Sequence, residues 1–410
     1  MKFLQGVLKA NLPKKSVKLT VGSVLDNINS LIKKNKIEGE AILGGSYAKN
    51  THLENFDCDI FVKFDMKYKE KNLSIMLEKI LKSFKPEKIH GSRDYFKFKK
   101  KGVLFEVVPV LNITSPSDAQ NVTDVSPLHV DWINSHVKKL SDDIRLSKLF
   151  CKAQGIYGAE SYINGFSGYI LEVLTIHYGG FKKLLKGVTE WRPKQCIDVE
   201  NYYHSRHDIS RRLNKAKLHS PLIIIDPVQP NRNIAASLSN EQFSKFILSA
   251  RLFLHNPSKS FFKSKEIKLT EIKKKAKQLD CTLIMLNVVP LQSKKDVVGS
   301  KLLKAYDFVK TQLENNDFNV LDSGWSWSNK SFFWYMVYPD KLSKFERHPG
   351  PLVYSGWQFL KPFTKKYQDF IIDNFRIYVL RKRKFYKLKD VVNFILKDEY
   401  LKDKVKKIRI

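Results

Sequence analysis

A chain of 410 residues that is 43% hydrophobic and 12% aromatic has ample material for packed cores, which argues against intrinsic disorder and for two or three domains. Its 73 Lys+Arg against 41 Asp+Glu, a net charge of +32, predicts a polyanionic partner: nucleic acid first, an anionic membrane surface second, with a Lys-rich surface serving only solubility as the bland alternative. Four dispersed cysteines without a CxxC pair (Cys58, Cys151, Cys196, Cys281) exclude a zinc ribbon and a disulfide framework, and no run approaches the ~20 apolar residues of a membrane span.

In chain order, the N-terminal MKFLQGVLKANLPKK is basic, with an apolar run too short for a signal peptide, so a soluble, cytoplasmic protein is expected. Val21, Val24, Leu25, Ile28, Leu31 and Ile32 recur at helical spacing. Ala41 to Leu43 reads as a strand running into Gly44-Gly45-Ser46, and Asp57 to Phe64 as a second strand. Leu73, Met76, Ile80 and Leu81 mark another helix. Tyr95 to Phe98 and Val103 to Val110 read as strands joined by the basic turn Lys99 to Gly102. This order describes a small α/β palm with a mixed sheet.

From about Lys139 to His255 the pattern is mostly helical, with Ser141-Asp142-Asp143 as a helix start and Gly155 as a stop. Beyond Asn256-Pro257 the chain turns strand-like again, at Thr282 to Val288, Val320 to Trp327, Ser331 to Tyr338 and Phe375 to Leu380. A helix is expected around Leu302 to Leu313 and a closing one over Val391 to Leu401. The sum is an α+β multidomain chain. Its expected parts are a palm over 1–138, a helical central domain over 139–255, and a C-terminal α+β domain of ferredoxin-like or RRM-like type over 256–410.

The chemistry is carried by acids. Side chains alternate along a strand, so Asp57 and Asp59 share a face. Glu106 stands inside the apolar run Leu104-Phe105-Glu106-Val107-Val108-Pro109, a costly position unless something pairs with it. Three ionised carboxylates converging from neighbouring strands repel one another, and two divalent cations resolve that repulsion while catalysing in-line phosphoryl displacement. Hard oxygen ligands and phosphate substrates select Mg²⁺. Gly45 lets backbone N–H groups approach a triphosphate, and Ser46 adds a hydroxyl donor. The competing reading is a surface hairpin with solvated aspartates and Glu106 paired to a lysine.

At these residues the sequence resembles the polymerase-beta-like nucleotidyltransferases, and more narrowly the archaeal (class I) CCA-adding enzymes, which extend tRNA without a nucleic-acid template. The resemblance includes Gly44 to Phe64, Ser126-Pro127-Leu128-His129, Lys148 through Gly158-Ala159-Glu160, and Gly165 to Tyr169. It continues through Asp226-Pro227-Val228 with Asn231-Arg232-Asn233, and Glu346-Arg347-His348-Pro349-Gly350-Pro351. It implies a nucleotidyltransferase palm in which Asp57, Asp59 and Glu106 are catalytic and bind two Mg²⁺ ions. It further implies that Ser46, His129, Lys148, Tyr157 and Arg232 hold CTP or ATP, and that the acceptor stem and 3′ end of tRNA are the partner; it leaves a homodimer open. The family usually places Asp, one methylene shorter, where this chain has Glu106.

Lys148 and Lys152, one helical turn apart, could reach a triphosphate together, and Arg232 offers forked donors for a phosphate or a base edge. Bland readings stand beside these: a solvated Lys148, a packing Tyr157, a satisfied His129 near Trp132, and Arg232 as a surface ion-pair partner. The basic segment Arg381 to Lys384, Lys387, Lys389, Lys402, Lys404, Lys406, Lys407 and Arg409 fits phosphate contacts. Of the nearby aromatics Trp325, Trp327, Phe332, Phe333, Trp334 and Tyr335, at least half are expected in the core and the rest are candidates for base stacking. A poly(A) or oligoadenylate polymerase, or a catalytically silent RNA-binding protein with the same fold, are the alternatives to CCA addition.

Overall fold

The computed structural model describes residues 3–13, 17–54, 56–264, 268–327 and 330–410. They form two compact units, Met1–Lys265 and Glu266–Ile410.

The first unit begins with α1 (Phe3–Lys9) and α2 (Val17–Lys34), whose Val21, Val24, Ile28 and Ile32 form one buried stripe. Such a stripe contributes about 1.5–3 kcal/mol per fully buried side chain. It packs against a five-stranded sheet built from β1 (Gly39–Leu43), β2 (Asp57–Phe64), β3 (Glu87–Ile89), β4 (Tyr95–Lys100) and β5 (Val103–Leu111). The order is β1-β2-β5-β4-β3, with β2 and β5 parallel and the other pairs antiparallel. Between β1 and β2 lies the short helix α3 (Gly45–Ala48), and α4 (Leu73–Leu81) follows β2. On β2, Cys58, Ile60, Val62 and Phe64 enter the core, which leaves Asp57 and Asp59 on the opposite face.

After α5 (Ser126–His136) the chain becomes helical: α6 (Ser141–Ala153), α7 (Gly168–Tyr178), α8 (Phe181–Thr189), α9 (Arg206–Arg212) and α10 (Asn240–His255). A two-stranded parallel ladder, β6 (Gln195–Ile197) with β7 (Leu222–Ile224), interrupts it. Phe150, Phe166, Phe181, Trp191, Phe246 and Phe253 fill this core, with Phe261 and Phe262 packed against it. Gly155, at φ +69°, stands just beyond the end of α6 in a conformation that other residues rarely adopt.

The second unit opens with α11 (Leu269–Gln278) and continues through β8 (Thr282–Val289), α12 (Lys295–Asn315), β9 (Asn319–Trp327) and β10 (Ser331–Tyr338). An excursion follows through β11 (Phe345–Leu352), α13 (Trp357–Lys366), β12 (Ile371–Asp373) and β13 (Arg376–Lys382). The chain closes with α14 (Leu388–Ile395), α15 (Glu399–Lys404) and β14 (Lys407–Arg409). The antiparallel order β14-β8-β10-β9 is the ferredoxin-like arrangement expected from the sequence, with β11 to β13 inserted as a separate sheet.

Three features depart from the sequence reading. The closing helix over Val391 to Leu401 is two helices, because the chain breaks at Leu396 and Asp398 caps the second by accepting from the Tyr400 N–H. Glu346 to Pro351 lies in β11, where two prolines are tolerated because β11 is an edge strand of the order β11-β13-β12. The basic run is less free than its composition suggests, since Arg381 and Arg383 both bind Glu346 and Arg383 also binds Asp317. Phe333, Trp334 and Tyr335 are core residues as expected, while Trp325, Trp327 and Phe332 are partly buried. Among the described residues no helix is long and apolar enough to cross a membrane.

Candidate active site

The parallel register of β2 and β5 sets Asp59 beside Glu106, and the antiparallel register of β4 and β5 sets Lys97 on the other side of Glu106. The third acid therefore stands between an acid and a base on one sheet face. Its carboxylate is turned to the Lys97 ammonium at 2.5 Å, the lysine pairing that the sequence left as the competing reading for this residue. The aspartates are not on a surface hairpin: Asp57, Asp59 and Glu106 all line one cavity of about 290 Å³.

The loop joining β1 to β2 forms the edge of that cavity. The Gly44 N–H donates to the Asp59 carbonyl at 2.8 Å. Gly45 has φ +54°, and a Cβ built on it would fall 1.6 Å from Asp59 Oδ2, so the Asp59 carboxylate occupies the space that any other side chain would fill. Glycine is required there on both counts.

Burial raises the Asp59 pKa to about 7, with repulsion from Glu106 and Asp57 adding to the rise and Lys49 and Lys97 opposing it. This is an all-oxygen set of mutually repelling carboxylates, the donor chemistry suited to a hard divalent cation. Among the described residues, however, no three acidic, imidazole or thiol groups are gathered to hold an ion as they stand. Glu106 would have to release Lys97 first.

Ser46, Lys148 and Tyr157 line the same cavity, together with Thr51, His52, Phe56 and Lys152. Lys148 is not a solvated helix charge. Its side chain is 4% exposed, and its ammonium binds Glu172 Oε1 at 2.7 Å, Thr51 Oγ1 at 2.9 Å and the Thr51 carbonyl at 3.1 Å. Lys152, one turn on, lies 4.9 Å above the Tyr157 ring and is the more exposed cation of the two. Burial holds Lys152 below its ordinary value, against the attraction of Asp57. His52 completes a three-ring cluster with Tyr47 and Phe56, its ring centroid 4.7 Å from each while those two stack at 5.4 Å. Burial and then Arg145 lower its pKa to about 4, so its ring is neutral at pH 7.

A second cavity of about 370 Å³ shares Asp59 and is lined by Gly45, Lys49, His129, Tyr169 and Arg232. Its organising group is Asp226, fully buried, which meets His129 Nε2 at 3.0 Å and Arg232 Nη1 at 3.2 Å. The Tyr169 hydroxyl donates to it at 3.3 Å and the Val228 N–H at 2.9 Å. His129 is thus a satisfied histidine whose ring packs on Tyr169 at 4.6 Å; Trp132 stacks on His136. The sequence-predicted residues therefore divide between two adjoining cavities: Ser46, Asp57, Asp59, Glu106, Lys148 and Tyr157 in the first, and Gly45, His129 and Arg232 beside Asp59 in the second.

Sequence reasoning passed over Lys49, Thr51, His52, Lys97 and Glu172. Glu172 carried a usable signal: it interrupts the apolar run Ile170-Leu171-Glu172-Val173-Leu174, as Glu106 interrupts its own.

Three family models match the chain: a nucleotidyltransferase domain over residues 25–112, the second domain of tRNA nucleotidyltransferase over 142–263, and the C-terminal domain of CCA-adding enzymes over 287–407. The chain is 37% identical over 378 residues to a CCA-adding enzyme of Nanoarchaeum equitans, covering 91% of this chain and 92% of that one. It is 30% identical over 395 residues to a CCA-adding enzyme of Methanocaldococcus jannaschii, covering 92% and 86%. In fold it is similar to the Cid1 poly(U) polymerase with MgGTP bound, at a TM-score of 0.53 and 14% identity over 64% of this chain and 98% of that one.

Proposed function

Since this chain belongs to the archaeal-type CCA-adding enzymes, the tRNA nucleotidyltransferases that build a 3′-terminal CCA, we propose that Asp57, Asp59 and Glu106 hold the divalent metal of that reaction as two Mg²⁺ ions. When bound, the ions would lower the pKa of the attacking hydroxyl and neutralise charge on the leaving group. In the transfer itself, the tRNA 3′-oxygen bonds to the α-phosphorus of CTP or ATP as the α–β bridging bond breaks. The hydroxyl proton passes to solvent and pyrophosphate departs.

The observation that carries this reading is the juxtaposition in the first cavity of three carboxylates on one sheet face with Ser46, Lys148, Lys152 and Tyr157. In this assignment Ser46, Lys148 and Tyr157 hold the triphosphate, with Lys152 as the cation that can swing onto it. Gly45, His129 and Arg232 bound the adjoining cavity and receive the nucleoside, where Arg232 offers its fork to a base edge. The palm would span 1–138, the domain completing the nucleotide site 139–255, and the tRNA-binding domain 256–410. The unit from Glu266 onward would bring its lysines and arginines to tRNA phosphates, and the setting would be the cytoplasm.

The test is incubation with tRNA lacking its 3′ end, labelled CTP or ATP, and Mg²⁺. Ordered addition of two C and one A, then arrest, is expected. An open-ended run of A would instead indicate a poly(A)-type polymerase. Asp59→Ala should lose incorporation by at least about 10³-fold, since a metal contributes several kcal/mol to the transition state, while tRNA binding persists. Undiminished turnover by that variant would remove the metal assignment.

A further inference from the structure

Glu172 lies mid-way along α7 between the fully buried Leu171 and Val173 and is itself 1% exposed. Both of its oxygens are used. Oε1 takes Lys148 at 2.7 Å and the Thr51 hydroxyl at 2.6 Å, and Oε2 takes Lys49 at 2.5 Å. Lys49 and Thr51 follow the Gly44–Ala48 turn between β1 and β2, whereas Lys148 comes from α6. One carboxylate therefore joins the loop that carries the catalytic turn to two helices of the central region. Lys148 lines the first cavity and Lys49 the second, and the two cavities share Asp59. Glu172 thus stands behind the wall from which two cations face the proposed path of the nucleotide.

We infer that Glu172 is a positioning residue for nucleotide binding: it touches no substrate, and it holds Lys49 and Lys148 in place to meet the phosphates of the incoming nucleoside triphosphate. This rests on the nucleotide assignment made above. A purely structural tie would not need this composition, because buried ion pairs are commonly replaceable by apolar packing without loss of stability. Arg145, moreover, already fastens the same loop to α6 through the His52 carbonyl at 3.0 Å and Asn50 Oδ1 at 2.8 Å. Two ammoniums on one carboxylate also leave an excess positive charge facing the cavities. Burial alone would raise the Glu172 pKa, but Lys148 and Lys49 outweigh it and push it down to about 2. Burial pulls Lys148 below its ordinary value even with Glu172 beside it, so the carboxylate is what favours the charged lysine.

The experiment compares initial rates of the full chain with Glu172→Gln, Lys148→Met and the double variant, using CTP or ATP and truncated tRNA, with thermal melts of each. Glu172→Gln should raise KM for both nucleotides by roughly 10- to 100-fold, the range for removing a group that orients a ligand-binding residue. Its kcat should stay within about threefold and its KM for tRNA should not move, which separates lost ground-state binding from lost chemistry. The double variant should lose less in kcat/KM than the product of the two single losses, because part of what Glu172 does is done through Lys148. An unchanged nucleotide KM in Glu172→Gln, or fully additive losses in the double variant, overturns the inference. If Glu172→Gln alone does not fold, the double variant should still show a higher nucleotide KM than Lys148→Met, through the freed Lys49, and an equal nucleotide KM overturns the inference. Asp59→Ala in the same assay guards the premise: undiminished turnover there would discredit the metal assignment, and with it the placing of the triphosphate, whatever Glu172 does.

Discussion

Asp226 lines neither cavity, yet it organises the second of them. It is fully buried, and the titratable groups facing it are His129, Tyr169 and Arg232. Burial would raise its pKa, but the hydrogen bond and charge of His129, the Val228 N–H and Arg232 hold it below 3.8. A carboxylate whose folded-state pKa is depressed contributes stability that is fully present above its unfolded value and is lost as the pH falls through the folded one. Asp226→Asn should therefore cost about 1.5–3 kcal/mol at pH 6, the usual range for hydrogen bonds to a charged group. Its deficit relative to the parent chain should close below about pH 3.8. Urea unfolding at pH 6 and pH 3 measures both, and a deficit as large at pH 3 as at pH 6 would exclude the carboxylate's charge as its cause. The same variant should raise the nucleotide KM, since Arg232 loses the acceptor that aims it.

The turn from β1 into β2 is where backbone geometry constrains the chemistry most tightly. Gly45 combines a positive φ with a Cβ position only 1.6 Å from Asp59 Oδ2, so Gly45→Ala must displace either the turn or the carboxylate. Displacement of a catalytic group by about 1 Å costs on the order of 10²-fold, so kcat/KM should fall by at least about that factor. The melting transition should move little, because the strands on either side keep their pairing. A variant as active as the parent would mean that Asp59 is not held where the reaction needs it.

Much of this was readable in advance. Strand alternation placed Asp57 and Asp59 on one face, and the apolar run around Glu106 marked a paired acid. The partner of Glu106 was not readable, because Lys97 reaches it through the β4–β5 register, and no local pattern encodes which residues stand opposite each other. Nor could the sequence decide between a triphosphate-binding and a solvated Lys148 by its surroundings, because its burial depends on Glu172, 24 positions away. In the second unit, prolines disguised the edge strand β11, and a single capping aspartate split the closing helix.

The net charge of +32 is best tested against what the structure already neutralises. Arg381 and Arg383 are tied to Glu346, Lys402 to Glu399 and Lys404 to Asp403. The pairs of Arg381, Lys402 and Lys404 are exposed, and such pairs are worth about 0–1 kcal/mol, too little to prevent exchange of a carboxylate for a tRNA phosphate. Each pair uses one cation and one acid, so the excess of 32 cations stands however the acids are paired, and an RNA backbone should find many contacts. If six to ten phosphates are engaged, affinity for tRNA should fall by about 10³–10⁵ between roughly 50 and 200 mM salt, through release of condensed counterions. The KM for CTP at saturating tRNA should change far less, because a triphosphate meets only the few cations around the first cavity. Fluorescence titrations of tRNA across that salt range supply the slope. A slope equivalent to only one or two released ions would mean that the charge serves solubility, and that tRNA is held mainly by shape and stacking.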